Sequence, residues 1–414
     1  MIKELNKKSN VLVATFSPWK DGKRSPTNGM ILPFIDYFSK RVGHFVLVDQ
    51  PHPGSDTVIP FIEIYENKKL KKIKRSSFFV SWLYPFLSFG NAAKTSIVFK
   101  LRDFLSVIDF VLGDGKKYNL LIGFESINTL VGILLRKVGR VDTVVYYVSD
   151  FSPQRYKQKW FNTLYLFLDK TAAQYADATW NVSPAMPEAR KKLGYKMDVM
   201  SPQLYAPNAF FPNEIKSLPL SKVKPFSIIY AGTMGAENGP DLAIKAMTKI
   251  IEKIPGATLT LAGGGTKEAQ EKLIALIKKL KLEKSVDFRG FIPTNKEMLD
   301  LVRQHQISIA PYKALSNSVR WYADAVKIRT SLACGLPVIT TQVPPMGKEA
   351  NRLGAGLVTK DNVDELANAV ITIFSDKKLY LKMRKNAIKA AKNNTWENSY
   401  TNALKDMGIT VSAT

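Results

Sequence analysis

Short runs of β-branched and apolar residues alternate with stretches of helical period along almost the whole chain. That alternation predicts parallel α/β sheets. In the first half the strand-like runs are Val11–Thr15, Phe45–Asp49, Leu120–Gly123, Thr143–Val148 and Ala178–Val182. In the second half they are Ser227–Ala231, Thr258–Ala262, Ile307–Ala310 and Val338–Thr341. The first helix is expected to start near Asn28-Gly29. Gly239-Pro240-Asp241 places a proline at a first helical position, where its missing N–H costs nothing. Thr294 with Glu297, and Asn362 with Glu365, have the spacing of capping boxes.

The 414 residues exceed what one core holds and fit two domains. Residues 201–225 interrupt the alternation with Pro202, Pro207, Pro212, Pro219 and Pro225 and no helical period. They are read as containing a linker, 206–225, between domains at 1–205 and 226–395. Residues 396–414, from Trp396 on, are read as a helix able to pack back on the first domain. The expected class is α/β, with two Rossmann-like domains facing across a cleft.

Charge changes the picture. The formal net charge is +25, which speaks to partners rather than fold. Anionic lipid, nucleic acid and a phosphorylated substrate are the three candidates. Lys68-Lys-Leu-Lys-Lys-Ile-Lys-Arg75 puts six cations in eight residues, just before the aromatic run Phe78-Phe-Val-Ser-Trp-Leu-Tyr-Pro-Phe-Leu. This reads as a contact with an anionic membrane surface, the alternative being a solvated loop before a core helix. No nucleic-acid recognition module is present, and the aromatics are not interleaved with basic residues as a stacking platform. No nucleic-acid partner is expected.

Cys334 is the single cysteine, so no internal disulfide forms. The first residues lack an apolar segment of the signal-peptide kind. The stretch Phe78–Ala93 is interrupted by Pro85, Gly90 and Asn91 and falls short of the roughly 20 residues that span a bilayer. The expected location is cytoplasmic, peripheral on the inner face of the cell membrane. His44, His52 and His305 are scattered, without metal-ligand spacing, and no Asp-x-Asp occurs. No metal and no cofactor are expected.

The second half carries a series of pieces in one order: Tyr230-Ala-Gly-Thr, Leu261-Ala-Gly-Gly-Gly265, Phe288-Arg-Gly-Phe-Ile-Pro293, Ile309-Ala-Pro-Tyr312, Asp324-Ala-Val-Lys-Ile328, Leu332-Ala-Cys-Gly-Leu-Pro-Val-Ile339 and Asn394-Thr-Trp-Glu397. About 170 residues here resemble the donor-binding domain of GT-B glycosyltransferases, in particular the retaining family 4 (glycosyl transferases group 1). The block Ala333-Cys-Gly-Leu-Pro337 is the most specific part. Tyr146-Tyr-Val-Ser-Asp150 and Ala176-Asp-Ala-Thr-Trp-Asn-Val-Ser183 resemble the end of the acceptor-side domain more loosely. The resemblance implies a hexosyltransferase, retaining and metal-independent. It would use a nucleotide-sugar, UDP- or GDP-linked, as substrate and a glycan or lipid-linked acceptor, as in polysaccharide biosynthesis. A glycosyltransferase-like subunit that no longer catalyses is the alternative.

The departing diphosphate needs N–H groups and cations. Gly232-Thr233 and Gly235 lie between a strand and a helix, as a phosphate cradle or as a tight turn. Gly263-Gly264-Gly265 lacks a Walker lysine and serves ligand contact or helix–sheet packing. Gly290 and Phe291 sit where the resembling enzymes touch the base, or in a structural turn. Lys327, near a helix start, opposes the helix dipole unless an anion is present, and the resembling motif also has lysine there.

Four positions depart from the family. An arginine and a lysine are replaced by Thr233 and Asn238, and two glutamates by Tyr322 and Thr330. Asp324 is the carboxylate nearest to take over a sugar hydroxyl, and Arg320, Lys327 and Arg329 the cations able to restore charge. On the acceptor side Asp150 ends a strand, as acceptor base, sugar ligand or turn cap. Glu125 has a similar but weaker case. Asn28 and Gly29 are expected to let a ligand approach the backbone. The expected catalytic set is Asp150, Lys327 and Asp324.

Overall fold

The computed structural model describes residues 2–24, 30–52, 55–75 and 96–412. Asn28, Gly29 and the aromatic run from Phe78 lie outside the described residues. The chain divides into two compact units, Met1–Ala206 with Ser399–Thr414, and Pro207–Asn398.

The first unit is built on an eight-stranded sheet. Its strands are β1 (Asn10–Ser17), β2 (His44–Pro51), β3 (Phe61–Glu66), β4 (Lys69–Arg75), β5 (Tyr118–Phe124), β6 (Val141–Val148), β7 (Ala178–Asn181) and β8 (Gln203–Tyr205). Their spatial order is β8-β7-β6-β5-β1-β2-β3-β4. The helices are α1 (Ile31–Ser39), α2 (Ser96–Asp114), α3 (Glu125–Lys137), α4 (Lys159–Tyr175) and α5 (Ala185–Lys192). All eight residues of β2 are buried, as a parallel strand covered on both faces requires. That is why its centre, Phe45–Val48, reads as an unbroken apolar run.

β3 and β4 escape such a reading. They form an antiparallel hairpin at the sheet edge. Asn67 and Lys68 both have positive φ (47° and 72°), the two-residue turn whose twist suits a hairpin. The cation run is therefore an edge strand rather than a loop. Lysine on an edge strand discourages pairing with another chain. A register shift beside Ile64 sets Leu70 and Ile73 opposite Tyr65 and Glu63, hence on one face of the strand.

The second unit has a six-stranded parallel sheet with strands β9 (Ser227–Ala231), β10 (Thr258–Ala262), β11 (Val286–Gly290), β12 (Ile307–Ala310), β13 (Val338–Thr341) and β14 (Gly356–Thr359). The order is β11-β10-β9-β12-β13-β14. Four of these match the apolar runs residue for residue. Alternate residues of β9 feed opposite faces: Ile228 and Tyr230 join one core, Ile229 and Ala231 the other.

The covering helices are α6 (Pro240–Lys253), α7 (Lys267–Lys279), α8 (Asn295–Arg303), α9 (Val326–Ala333), α10 (Pro345–Arg352), α11 (Val363–Ser375) and α12 (Lys377–Asn393). Pro240 opens α6. Thr294 and Glu297 make the full reciprocal box on α8. Asn362 caps α11, but the Glu365 carboxylate accepts from the N–H of Lys360 rather than closing the box.

Residues 207–225 group with the second unit. Arg303 donates to the carbonyls of Glu214 and Lys216, and Arg384 to that of Leu218. The last helix, α13 (Trp396–Asp406), carries Tyr400 against Phe34 with ring centroids 4.5 Å apart. Thr410–Val411 then pairs in parallel with Glu4–Leu5.

Candidate functional site

In each unit the strand order reverses direction once, and ligands of open α/β sheets bind at the carboxyl ends of the strands at such a point. In the second unit the reversal falls between β9 and β12. The loops there are stitched together by their backbones. Gly232 N–H donates to Ala262 O (2.8 Å), Met234 N–H to Gly264 O (2.7 Å) and Gly263 N–H to Gly290 O (2.7 Å). A Cβ at Gly263 would sit 2.0 Å from the Gly232 carbonyl oxygen, so that glycine serves loop packing. Gly264 would meet only Phe291, at an ordinary 3.4 Å, and Phe291 is 64% exposed. The N–H groups of Thr233 and Gly264 meet no protein acceptor among the described residues.

Lys327 stands in the first turn of α9. Its Nζ donates to the Tyr230 hydroxyl (3.0 Å) and lies over the rings of Tyr230 and Tyr312, 4.5 and 4.7 Å from their centroids. Cation–π contacts of this kind hold an ammonium without neutralising it. Burial, and then the charge of Arg320, holds its pKa well below the usual lysine value, with Glu237 opposing. Among the described residues no carboxylate pairs with it. Lys327 thus lies desolvated in the first turn of α9, beside the glycine loops.

The other two cations proposed to restore charge are already taken. Arg320 pairs with Glu237 (3.1 Å), and Arg329 with Asp324 (2.7 Å), both side chains almost fully buried. Asp324 is thereby corrected. Both of its oxygens face Arg329, and one also accepts from the backbone and side-chain amides of Asn208 (3.1 and 2.9 Å). The side chain is almost fully buried and held by Arg329 and Asn208, so its role is to anchor the start of α9 rather than to meet a sugar hydroxyl.

At the substituted positions, Asn238 Nδ2 donates to Thr233 Oγ1 (2.9 Å), and the Thr330 hydroxyl donates to Val326 O within its own helix (3.0 Å). Tyr322 ends the short 3₁₀ turn Val319–Trp321.

In the first unit the reversal falls between β1 and β5. A cavity of about 230 Å³ opens there, among Phe16, Lys100, Glu125, Arg155, Tyr156 and Tyr165. Glu125 sits at the bend from β5 into α3 with φ +59°, a conformation that costs a non-glycine residue about 1–2 kcal/mol. Strain of this kind concentrates at functional sites. Gly123 makes the bend possible, since a Cβ there would lie 2.5 Å from the Thr129 amide. Glu125 Oε1 accepts from Ser149 Oγ (2.8 Å). Burial holds its carboxyl above the ordinary range, against the pull of Arg155.

Asp150 lies two residues beyond β6 and pairs with Arg155 (2.9 Å). It is partly exposed and not in the cavity wall. The sequence reading missed Arg155, Tyr156 and Tyr165. The available signal was the Gly123-Phe-Glu-Ser126 bend, followed by an arginine five residues after Asp150.

Residues 212–390 match the family described as glycosyl transferases group 1. A putative glycosyltransferase, YtcC of Bacillus subtilis, is 27% identical over 169 residues, 39% of this chain and 40% of that protein. A glycogen synthase of Mycobacterium tuberculosis is 26% identical over 154 residues, 37% of this chain and 34% of the relative. The match thus spans well under half the length of these relatives. Among solved structures, Anabaena HepE in complex with UDP superposes with a TM-score of 0.65 at 18% identity, over 96% of this chain and 100% of that one. Sucrose-phosphate synthase of Thermosynechococcus elongatus does so at 0.69 and 15%, over 96% and 97%. The fold is GT-B.

Proposed function

We propose that this GT-B chain, whose residues 212–390 form a glycosyl transferases group 1 domain, moves a sugar from a nucleotide-sugar donor to a hydroxyl acceptor. One observation carries the reading: Lys327 is a buried basic group that no carboxylate pairs with among the described residues, set between two tyrosines beside Gly232. The acceptor oxygen forms a bond to the anomeric carbon, the bond from that carbon to the diphosphate breaks, and the hydroxyl proton passes to a base. The diphosphate leaves with added negative charge. Lys327 and the free N–H groups of Thr233 and Gly264 stabilise it, and such preorganised charge is the largest catalytic term in many enzymes.

Metal independence follows in this proposal from Lys327 as the counter-charge. UDP- or GDP-linked donors and retention of configuration are proposed with it. Neighbours of this fold support the donor class, HepE having been solved with UDP and with UDP-glucose. Glu125 is the proposed acceptor-side carboxyl, ahead of Asp150, because it faces the cavity. A lipid-linked or glycan acceptor is proposed, with the cations of β4 drawing the protein to an anionic surface on the cytoplasmic side.

Calorimetric titration with UDP, GDP and their sugars tests the donor site. Absence of binding at millimolar concentration would sink it. The bond between Asn238 and Thr233 favours a second reading, a catalytically silent subunit, because these two positions hold each other rather than a phosphate. Nucleotide binding without hydrolysis or transfer to any acceptor in a lipid extract would select it.

A further inference from the structure

Among the described residues, helix α4 leaves an apolar ridge uncovered. Its inner face is ordinary: Ala172 and Ala173 are buried, and Asp169 pairs with Arg190 at 2.8 Å, both fully buried. Its outer face is not that of a water-facing helix. Trp160 is 63% exposed, Phe167 62%, Tyr175 53% and Leu164 40%. At 3.6 residues per turn Trp160, Leu164 and Phe167 fall within about 60° of arc, and the ridge from Trp160 to Tyr175 runs about 22 Å. Single exposed apolar residues are common, whereas a contiguous ridge marks an interaction surface.

The exposed charges of α4 and of the four residues before it are basic. Lys157, Lys159 and Lys170 are exposed, and none forms an ion pair among the described residues. Asp169 is the one acidic residue of α4 and points inward.

We propose that α4 is an interfacial anchor that lies in the surface of an anionic bilayer. The ridge enters the boundary between headgroups and acyl chains, and the three lysines meet lipid phosphates. Trp160 and Tyr175 bracket the ridge, and both residue types favour the headgroup level. A second copy of this chain is a poorer occupant. Its charge of +25 would oppose self-association, while anionic lipid neutralises it. Among the described residues no helix is long and apolar enough to cross a membrane, so α4 lies along the surface. The same helix offers Tyr165, with Arg155 and Tyr156 just before it, to the cavity of the first unit. Seating α4 on lipid therefore brings that cavity wall close to the surface, where the head of a lipid-linked acceptor resides. The inference does not depend on sugar transfer, and its test needs no donor.

The experiment is co-sedimentation of the full chain with phosphatidylglycerol–phosphatidylcholine vesicles and with pure phosphatidylcholine vesicles. Binding to the mixed vesicles alone is expected. The double variant Trp160→Ser, Phe167→Ser should lose about tenfold or more in partitioning, with unchanged melting temperature because both side chains are exposed. Neutralising Lys157, Lys159 and Lys170 to Gln should weaken binding and flatten its salt dependence. Neutralising the β4 cations should leave most of the binding, which separates this anchor from the surface attraction proposed for β4. Vesicle binding by the double variant equal to that of the parent overturns the proposal. So does the absence of parent binding at low salt, or a dimer in sedimentation equilibrium that the double variant abolishes.

Discussion

The ammonium of Lys327 occupies the space that a side chain at Gly232 would need. A Cβ built on Gly232 would lie 2.5 Å from Lys327 Cε and 3.0 Å from Nζ. The glycine and the lysine are thus one device, joined across β9 and α9. Gly232→Ala is expected to weaken donor binding about tenfold or more although it removes no charge. Lys327→Ala should lower turnover by about 10²–10³, the range for losing one preorganised donor to a developing anion. Lys327→Arg should not rescue it, because the planar guanidinium is wider than an ammonium and Tyr230 and Tyr312 crowd the site. Steady-state kinetics and UDP titrations check both, and unchanged turnover in Lys327→Ala would remove the residue from the mechanism.

At pH values above the free-state pKa of Lys327, donor binding should take up protons. Burial depresses the Lys327 pKa in the free protein, and a bound diphosphate would raise it again. The charged form binds, so affinity is full below the free-state pKa and falls as pH rises through it. Calorimetry with UDP in two buffers of different ionisation enthalpy reads the proton uptake directly. Uptake of the same size in Lys327→Ala would assign it to another group.

Asp324 is expected to matter for stability rather than for sugar recognition. Removing one partner of a buried ion pair costs about 3–5 kcal/mol, so Asp324→Ala should unfold at markedly lower denaturant. Asp324→Asn, which can still accept from Asn208 or Arg329, should lose less. Where either variant remains folded, the KM for donor should stay within a few-fold of the parent. A selective rise in donor KM without a loss of stability would restore a binding role.

Glu125 presents the opposite balance. It holds φ +59° at a cost that glycine avoids, and it faces the cavity. Glu125→Gln should reduce transfer by about 10²-fold or more, the scale of general acid–base catalysis, with UDP affinity unchanged. Glu125→Gly should unfold no more easily than the parent while losing the same activity. Full activity in Glu125→Gln would shift the acceptor role to Asp150.

His305 should set part of the acid limb of stability. Its Nδ1 faces the Leu301 carbonyl and its Nε2 the Thr260 hydroxyl, each at 2.9 Å. The carbonyl makes Nδ1 a donor, while the hydroxyl can serve Nε2 as donor or acceptor. Burial lowers its pKa from 6.5 to about 4. The unfolded chain binds the proton more readily, so stability is full above about pH 6.5 and declines as pH falls toward 4, by about 3 kcal/mol in all. Urea titrations across that window read the slope, and His305→Gln should flatten it.

The sequence by itself determined the α/β class and four of the six strands of the second unit. The runs Ser227–Ala231 and Val338–Thr341 are strands to the residue, because a strand buried on both faces favours a short run of apolar and β-branched residues over strict alternation. The place of Lys327 in the first turn of a helix was legible too, and there a lysine conflicts with the dipole.

What the tertiary structure alone decided was which charges are free. Arg320, Lys327 and Arg329 look alike in sequence. Folding pairs Arg320 with Glu237 and Arg329 with Asp324 and leaves Lys327 on two aromatic rings. In the same way the cation run became an edge strand, and the ridge of α4 emerged only once its other face was packed. Pairing and exposure depend on contacts between residues far apart in the chain, and local pattern does not encode them.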